Sequence, residues 1–220
     1  MMFDQALQGH PSWLDLAVLS PRDLTTGPRR PATTPRERGT SPRELSVSRW
    51  HAAAGGADDV LLDACTGPTL DIGCGPGRLV AALLARGVQA LGVDVSPEAI
   101  RRTTERGGIA IRRDVFDLLP GEGHWQHVLL ADGNIGIGGD PAALLRRTRA
   151  LLKPSGTVVV EVEQPGSGLA IGQARVRTEG TLGPWFPWAW SDAESVPADG
   201  FFLLWQEERA GRFFACWEKL

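Results

Sequence analysis

The sequence has no tyrosine, and lysine occurs only at Lys153 and Lys219, so nearly all of its basic residues are arginine. Both features read as base-composition bias and carry no mechanism. Positive charge is not in excess either. The formal net charge is -3 over 220 residues, which leaves no electrostatic footprint for nucleic acid outside a local patch. Cysteine is scarce and scattered: Cys65, Cys74 and Cys216 form no CxxC pair. Their odd number argues against a disulfide framework and their spacing against a zinc site. No Asp-Lys-Asp-Glu-like set for metal-dependent chemistry can be assigned either, so no metal is expected, and the reducing cytoplasm is the simplest compartment. No apolar run approaches the length of a bilayer span, which argues against a membrane partner. The N-terminus, with Asp4 and His10, lacks the apolar core of a signal peptide.

What is present divides at about residue 43. Residues 1–43 read as a Pro/Arg-rich leader, in which Pro28, Pro31, Pro35 and Pro42 forbid a continuous helix and little can be buried. A flexible leader is one reading. An arm folded over an active site, anchored by the apolar patch Trp13 to Leu19, is the other. Residues 44–220 read as one α/β domain. Glu44 to Cys65 is helical but broken at Gly55-Gly56, with Asp58 or Asp59 as a cap; strands and helices then alternate. Strands are expected at Thr69 to Ile72, Gln89 to Val93, Ile109 to Asp114, His127 to Ala131 and Thr157 to Val162. Helices are expected from Pro76, from Ser96-Pro97 with Ser as N-cap, and from Asp140-Pro141. Phe201 to Glu208 and Arg212 to Trp217 are joined too tightly for a crossover and must pair as an antiparallel hairpin. The expected fold is a doubly wound, mostly parallel seven-stranded sheet of Rossmann-like type ending in that hairpin.

The most informative segment is Leu70-Asp71-Ile72-Gly73-Cys74-Gly75-Pro76-Gly77-Arg78. A strand enters a glycine-rich turn and a helix leaves it, so a ligand can lie directly on the backbone. A dinucleotide loop needs GxGxxG. Here Gly73, Gly75 and Gly77 run one residue short, and the acidic Asp71 just ahead of them suits a cationic ligand better than a pyrophosphate.

This segment resembles the first motif of the class I S-adenosylmethionine-dependent methyltransferases, an acidic residue followed by GxGxG. The resemblance continues in order along the chain. Leu91-Gly92-Val93-Asp94-Val95-Ser96 is similar to the second motif, whose acidic residue takes both ribose hydroxyls. Asp114-Val115-Phe116 is similar to the third, in which the Asp meets the adenine amino group and its neighbour packs on the ring. Leu129-Leu130-Ala131-Asp132-Gly133-Asn134 stands at the fourth, beside the methyl group and methionine moiety. Leu152 to Thr157 resembles the LxPGG turn, with Ser155 for the first Gly. The resemblance implies S-adenosylmethionine as cofactor, held by Asp71, Gly73, Cys74, Gly75, Gly77, Asp94, Val95, Asp114, Val115, Ala131, Asp132 and Asn134.

Methyl transfer from a sulfonium is a displacement on an activated carbon, so alignment does most of the work and a dedicated base is optional. The candidates for a base or an acceptor-side contact are Asp132, Asn134 and His51, with Glu161 and Glu163 at the end of the fifth strand. The (Asn/Asp)-Pro-Pro-aromatic segment of nucleic-acid base methylases is missing after the fourth strand. Cys74 reads as a small packing residue. The glycine run 133–139 reads either as a loop packed on the cofactor or as a tight turn. Gly183 to Trp190, with three Trp and one Phe, reads as an aromatic acceptor pocket, a cation site, a plug or a homodimer contact. The expected function is methylation of a small-molecule acceptor. The competing readings are a non-catalytic S-adenosylmethionine-binding or interaction protein, and an RNA or protein methyltransferase using the Arg-rich leader.

Overall fold

The computed structural model describes residues 4–8, 10, 12–18, 43–44 and 47–220. Along the chain these form α1 (Asp4–Leu7), β1 (Ser12–Val18), β2 (Arg43–Glu44), α2 (Val47–His51) and α3 (Asp58–Ala64). There follow β3 (Thr69–Ile72), α4 (Arg78–Ala85), β4 (Ala90–Asp94), α5 (Pro97–Glu105), β5 (Ala110–Arg112) and β6 (Trp125–Leu130). A 3-10 segment at Asn134–Gly139 leads into α6 (Pro141–Leu151) and β7 (Leu152–Val162). The chain ends with β8 (Leu169–Thr178), β9 (Thr181–Leu182), β10 (Phe186–Ser191), β11 (Phe201–Arg209) and β12 (Arg212–Lys219).

The main sheet has seven strands in the order β11-β12-β7-β6-β3-β4-β5. Strands β3 to β7 are mutually parallel, and β12 runs antiparallel to both β7 and β11. This is the doubly wound sheet with a terminal hairpin that the sequence pattern predicts. Its middle strands are apolar because helices cover both faces: all four residues of β3 are buried, and Leu70, Val128, Val158 and Val160 are fully enclosed. Two helix starts are fixed by the expected caps. Ser96 Oγ accepts from Ala99 N at 3.2 Å and Asp140 Oδ1 from Ala143 N at 2.9 Å, each with Pro at the first helical position. Asp58, by contrast, does not cap α3; its side chain is buried against arginines instead.

A second, antiparallel sheet, β10-β8-β1-β2 with β9 on β8, was not apparent in the sequence. Its register puts Leu14 opposite Val176, Leu16 opposite Ala174 and Val18 opposite Gly172. On the far side of β8, Phe186 faces Ala174, Trp188 faces Gly172 and Trp190 faces Ala170. With a side-chain period of two, one face collects these apolar residues and the other collects charge. On that other face Asp15 pairs with Arg175 at 3.0 Å and Arg177 at 3.1 Å, while Arg175 and Arg177 lie over Trp185 and Trp13. Residues 4–7 and 12–18 thus pack on elements far beyond residue 43, although composition drew a flexible leader there. Trp13 to Val18, apolar except for Asp15, makes a strand once β8 supplies its partner. Leu19 and the Pro/Arg-rich stretch 21–42 lie outside the described residues. No helix among the described residues is long and apolar enough to cross a membrane.

The glycine run at 133–139 has a use that neither sequence reading anticipated. A Cβ at Gly136 would meet Ala189 O at 2.2 Å and Trp188 Nε1 at 2.6 Å, and one at Gly139 would meet Pro187 Cβ at 2.9 Å. The glycines let β10 dock against the loop after β6. Gly136→Ala is expected to cost about 1–3 kcal/mol by overpacking. Gly55→Ala, where a Cβ meets nothing within 4 Å, should stay within about 0.5 kcal/mol. Urea unfolding of both variants checks the contrast.

Candidate functional site

Parallel strands bring their C-terminal ends to one edge, and the loops that follow them frame a cavity of about 710 Å³. That volume lies within the range of about 300–1,000 Å³ usual for ligand sites. Gly73, Cys74 and Gly75 line it from the end of β3, Asp94 and Val95 from β4, Asp114 and Val115 from β5, and Asp132, Gly133 and Asn134 from β6. The apolar face of the second sheet closes the opposite side through Leu14, Phe186, Trp188 and Trp190, with Leu7 of α1 beside them.

The glycine turn has an open floor. Gly75 and Gly133 take φ of 52° and 79°, and a Cβ on either would meet nothing within 4 Å. Gly73 is different: a Cβ there would strike Asn134 Nδ2 at 2.6 Å. Asn134 Nδ2 donates to Ile72 O at 2.9 Å and Gly73 O at 3.0 Å. Its amide braces the turn and has no part in proton transfer in this arrangement. Asp94 Oδ2 accepts from Gly75 N at 3.0 Å and its Oδ1 from Ser96 N at 2.8 Å. One carboxylate therefore ties the glycine turn to the start of α5. Burial pushes its pKa up, and the backbone donors act against that rise. Asp114 Oδ1 accepts from Phe116 N at 3.0 Å at the cavity mouth.

Four of the residues singled out in the sequence do not line the cavity. Asp71 is buried beneath the turn, Ala131 is enclosed, and a Cβ at Gly77 would strike Thr103 Cγ2 at 2.5 Å, so that glycine serves packing on α5. His51 faces away: Nε2 donates to Ala6 O at 3.3 Å, and Arg102 Nη1 lies 3.5 Å from Nδ1. Its neighbours Arg49 and Trp50 line the cavity instead. Cys74 has its thiol pushed well above the ordinary value by burial, which fits a packing role. His127, held down to about 4 by burial, takes a hydrogen bond from Thr66 N at 3.2 Å on the far side of the sheet.

Beside the turn lies a buried charge cluster that sequence reasoning missed except for Asp132 and Glu161. Arg78 donates to Asp58 through Nε at 3.1 Å and Nη2 at 2.9 Å, and its Nη1 lies 3.1 Å from Asp132 Oδ2. Arg49 Nη2 reaches Asp132 Oδ1 at 2.6 Å. Arg212, at the start of β12, donates to Glu161 Oε1 at 2.8 Å and to Asp58 Oδ1 at 2.7 Å. Glu161 Oε2 accepts Asp132 N at 2.7 Å, which holds Asp132 at its positive φ of 53°. Asp132 is thus encircled by guanidinium groups, and burial pushes its pKa above the ordinary value against the pull of Arg78. Glu161 is held below the ordinary value by Arg212 and Arg49 despite its burial. Glu163, next along on the same strand end, lines the cavity. No group of three His, Cys, Asp or Glu side chains placed to hold a metal occurs among the described residues.

Asp71 has a testable titration. Burial raises it from 3.8 to about 7, against the pull of Arg78. A carboxyl whose native pKa is raised binds more protons folded than unfolded, so its contribution to stability is fully present below pH 3.8 and lost as pH climbs to about 7. The melting temperature of the wild type is expected to fall relative to Asp71→Asn across that window. Parallel melting curves for the two proteins would refute this.

The sheet order, the glycine turn and the acidic strand ends define a Rossmann-like domain of the nucleotide-binding type. Residues 69–156 match the methyltransferase-domain family. A 95-residue stretch is 34% identical to a ubiquinone biosynthesis O-methyltransferase of Cereibacter sphaeroides. That stretch is 41% of this chain and spans only 38% of the relative. An S-adenosylmethionine-dependent methyltransferase from Bacteroides fragilis, solved with S-adenosylhomocysteine, superposes with a TM-score of 0.71 over 99% of this chain and 94% of its own, at 17% identity. The CcbJ methyltransferase from Streptomyces caelestis gives a TM-score of 0.54 over 74% of this chain and 94% of its own, at 18% identity. These two likenesses are of fold.

Proposed function

We propose that this protein transfers the methyl group of S-adenosylmethionine to a small-molecule acceptor. The observation that carries the reading is that a single cavity joins the glycine turn, Asp94 and Asp114 to a separate apolar wall formed by the second sheet. A binding module without catalysis would not need that further chamber. Gly75 and Gly133 offer bare backbone to the ligand, Asp94 the two carboxylate oxygens for ribose hydroxyls, and Asp114 an acceptor for the adenine amino group. Asp71 sits buried under the turn and adds negative charge beneath it.

In the reaction an acceptor lone pair forms the new bond to the methyl carbon as the carbon–sulfur bond breaks. The sulfur keeps the electron pair and becomes a neutral thioether. The acceptor's proton leaves to solvent at the cavity's opening or to a carboxylate of its lining, Asp132 or Glu163, since Glu161 is held by Arg212 and His51 points elsewhere. The protein's contribution is alignment. The recessed cavity favours a small molecule over RNA or protein, and the three buried free thiols, Cys65, Cys74 and Cys216, suit the reducing cytoplasm.

Calorimetric titration tests the cofactor. S-adenosylmethionine and S-adenosylhomocysteine should bind with Kd of roughly micromolar order, about −8 kcal/mol, and NAD should show no heat of binding. Absence of binding by both sulfur compounds would remove the proposal.

A further inference from the structure

Resting on the methyltransferase reading, we infer that the acceptor is an uncharged, planar aromatic molecule, recognised by the aromatic face of the second sheet. Three rings, Phe186, Trp188 and Trp190, stand at alternate positions of β10 and so share one face, and all three line the cavity. Across the ladder each faces a small residue of β8: Ala174, Gly172 and Ala170. Large side chains over small ones leave a shallow apolar hollow, floored by the second sheet. Gly172 has no alternative, since a Cβ there would lie 2.4 Å from Ala17 O of β1.

The rings are held in place before any ligand arrives. Trp188 meets Phe186 edge to face, with centroids 5.8 Å apart and planes at 87°, and its indole edge rests on Gly136. Rigid aromatic surface binds flat rings by offset or edge-to-face contact at little cost in conformational entropy. Trp50 of α2 and Phe213 of β12 add further ring surface to the same cavity.

Charge decides against an ionic acceptor. Arg49, Arg212, Asp132 and Glu161 all line this cavity, yet they bind one another: Arg49 holds Asp132 at 2.6 Å and Arg212 holds Glu161 at 2.7 Å. An ammonium on the acceptor would have to draw Asp132 or Glu161 from its arginine and leave a buried charge without its partner, which is costly, while Arg49 Nε, a buried donor with no partner among the described residues, is open to a neutral hydroxyl or carbonyl oxygen. A neutral aromatic alcohol or amine needs no such exchange, and the strand end at Glu163 and Gln164 offers polar contacts for its single polar group.

The test is calorimetry on the full chain, with and without S-adenosylhomocysteine, using four probes: naphthol, decahydronaphthol, hydroxynaphthoate and phenyltrimethylammonium. Naphthol is expected to bind about tenfold more tightly than its saturated counterpart and than either charged probe. Trp188→Ala and Trp190→Ala should each weaken naphthol about tenfold while leaving S-adenosylhomocysteine within about twofold, and Trp188→Phe should retain most of the affinity. Unaltered cofactor affinity shows that the variants are folded. Equal binding of naphthol and decahydronaphthol, tighter binding of a charged probe, or indifference of naphthol to both Trp variants would each overturn the inference. Failure of S-adenosylhomocysteine to bind would remove the cofactor reading and leave the naphthol comparison to decide the acceptor class.

Discussion

Replacing Arg78 with methionine is expected to lower the unfolding free energy by about 3–5 kcal/mol, the range found when one partner of a buried ion pair is removed. Arg78 is 5% exposed and forks onto Asp58 while its other amino group faces Asp132. Methionine fills much of the volume but takes one arginine from the buried Asp58 and one from Asp132 at the cavity wall. Asp58 would keep Arg212 and Asp132 would keep Arg49, so the loss is partly compensated and the lower end of the range applies. Lysine should not restore the wild-type value, because a point charge cannot reproduce a two-pronged guanidinium contact. Urea unfolding reads the effect as a fall in midpoint with an unchanged slope. A change below about 1 kcal/mol, the scale of an exposed pair, would mean that the remaining arginines absorb the cluster's charge.

Asp94→Ala is expected to weaken S-adenosylhomocysteine about a hundredfold, since hydrogen bonds to a charged group contribute about 1.5–3 kcal/mol each and two ribose hydroxyls are at stake. In the structure both carboxylate oxygens already accept a backbone N–H, from Gly75 and Ser96. Each oxygen has a further lone pair directed elsewhere. Alanine removes the ligand contacts and also frees the glycine turn from α5. Asn at this position keeps the shape and one acceptor, and should lose about tenfold, one charged hydrogen bond's worth. Calorimetry measures the affinities, and a melting curve for each variant separates a loosened turn from a lost contact. Unchanged affinity in Asp94→Ala would end the assignment of ribose to this carboxylate.

The cofactor half of the candidate site was legible in the sequence because each of its parts is local. Gly73 to Gly77, Asp94 and Asp114 each stand within a few residues of a strand end, and a parallel sheet places every such end on one edge without further information. The acceptor half was only partly legible. Gly183 to Trp190 drew notice as an aromatic run, but the period that turns Phe186, Trp188 and Trp190 to one side exists only once β10 pairs with β8. His51 is the residue of α2 that chemical type picks out as a base. The phase of the five-residue α2, set by packing, turned the histidine outward. Asp132 had the right position, but nothing near it in the chain announces Arg49, Arg78 or Arg212.

The amino-acid sequence by itself determined the alternation of strand and helix from Thr69 to Val162, the capped helix starts at Ser96 and Asp140, and the glycine turn. All of these depend on neighbours within one βα unit. The tertiary structure decided what required partners distant in the chain. Asp15 meets Arg175 only after β1 has crossed to β8, and Arg212 meets Asp58 only because β12 runs antiparallel and returns its first residue to the ligand edge. Strand partners are chosen by burial of complementary faces, a property of two segments together, and neither segment carries it alone.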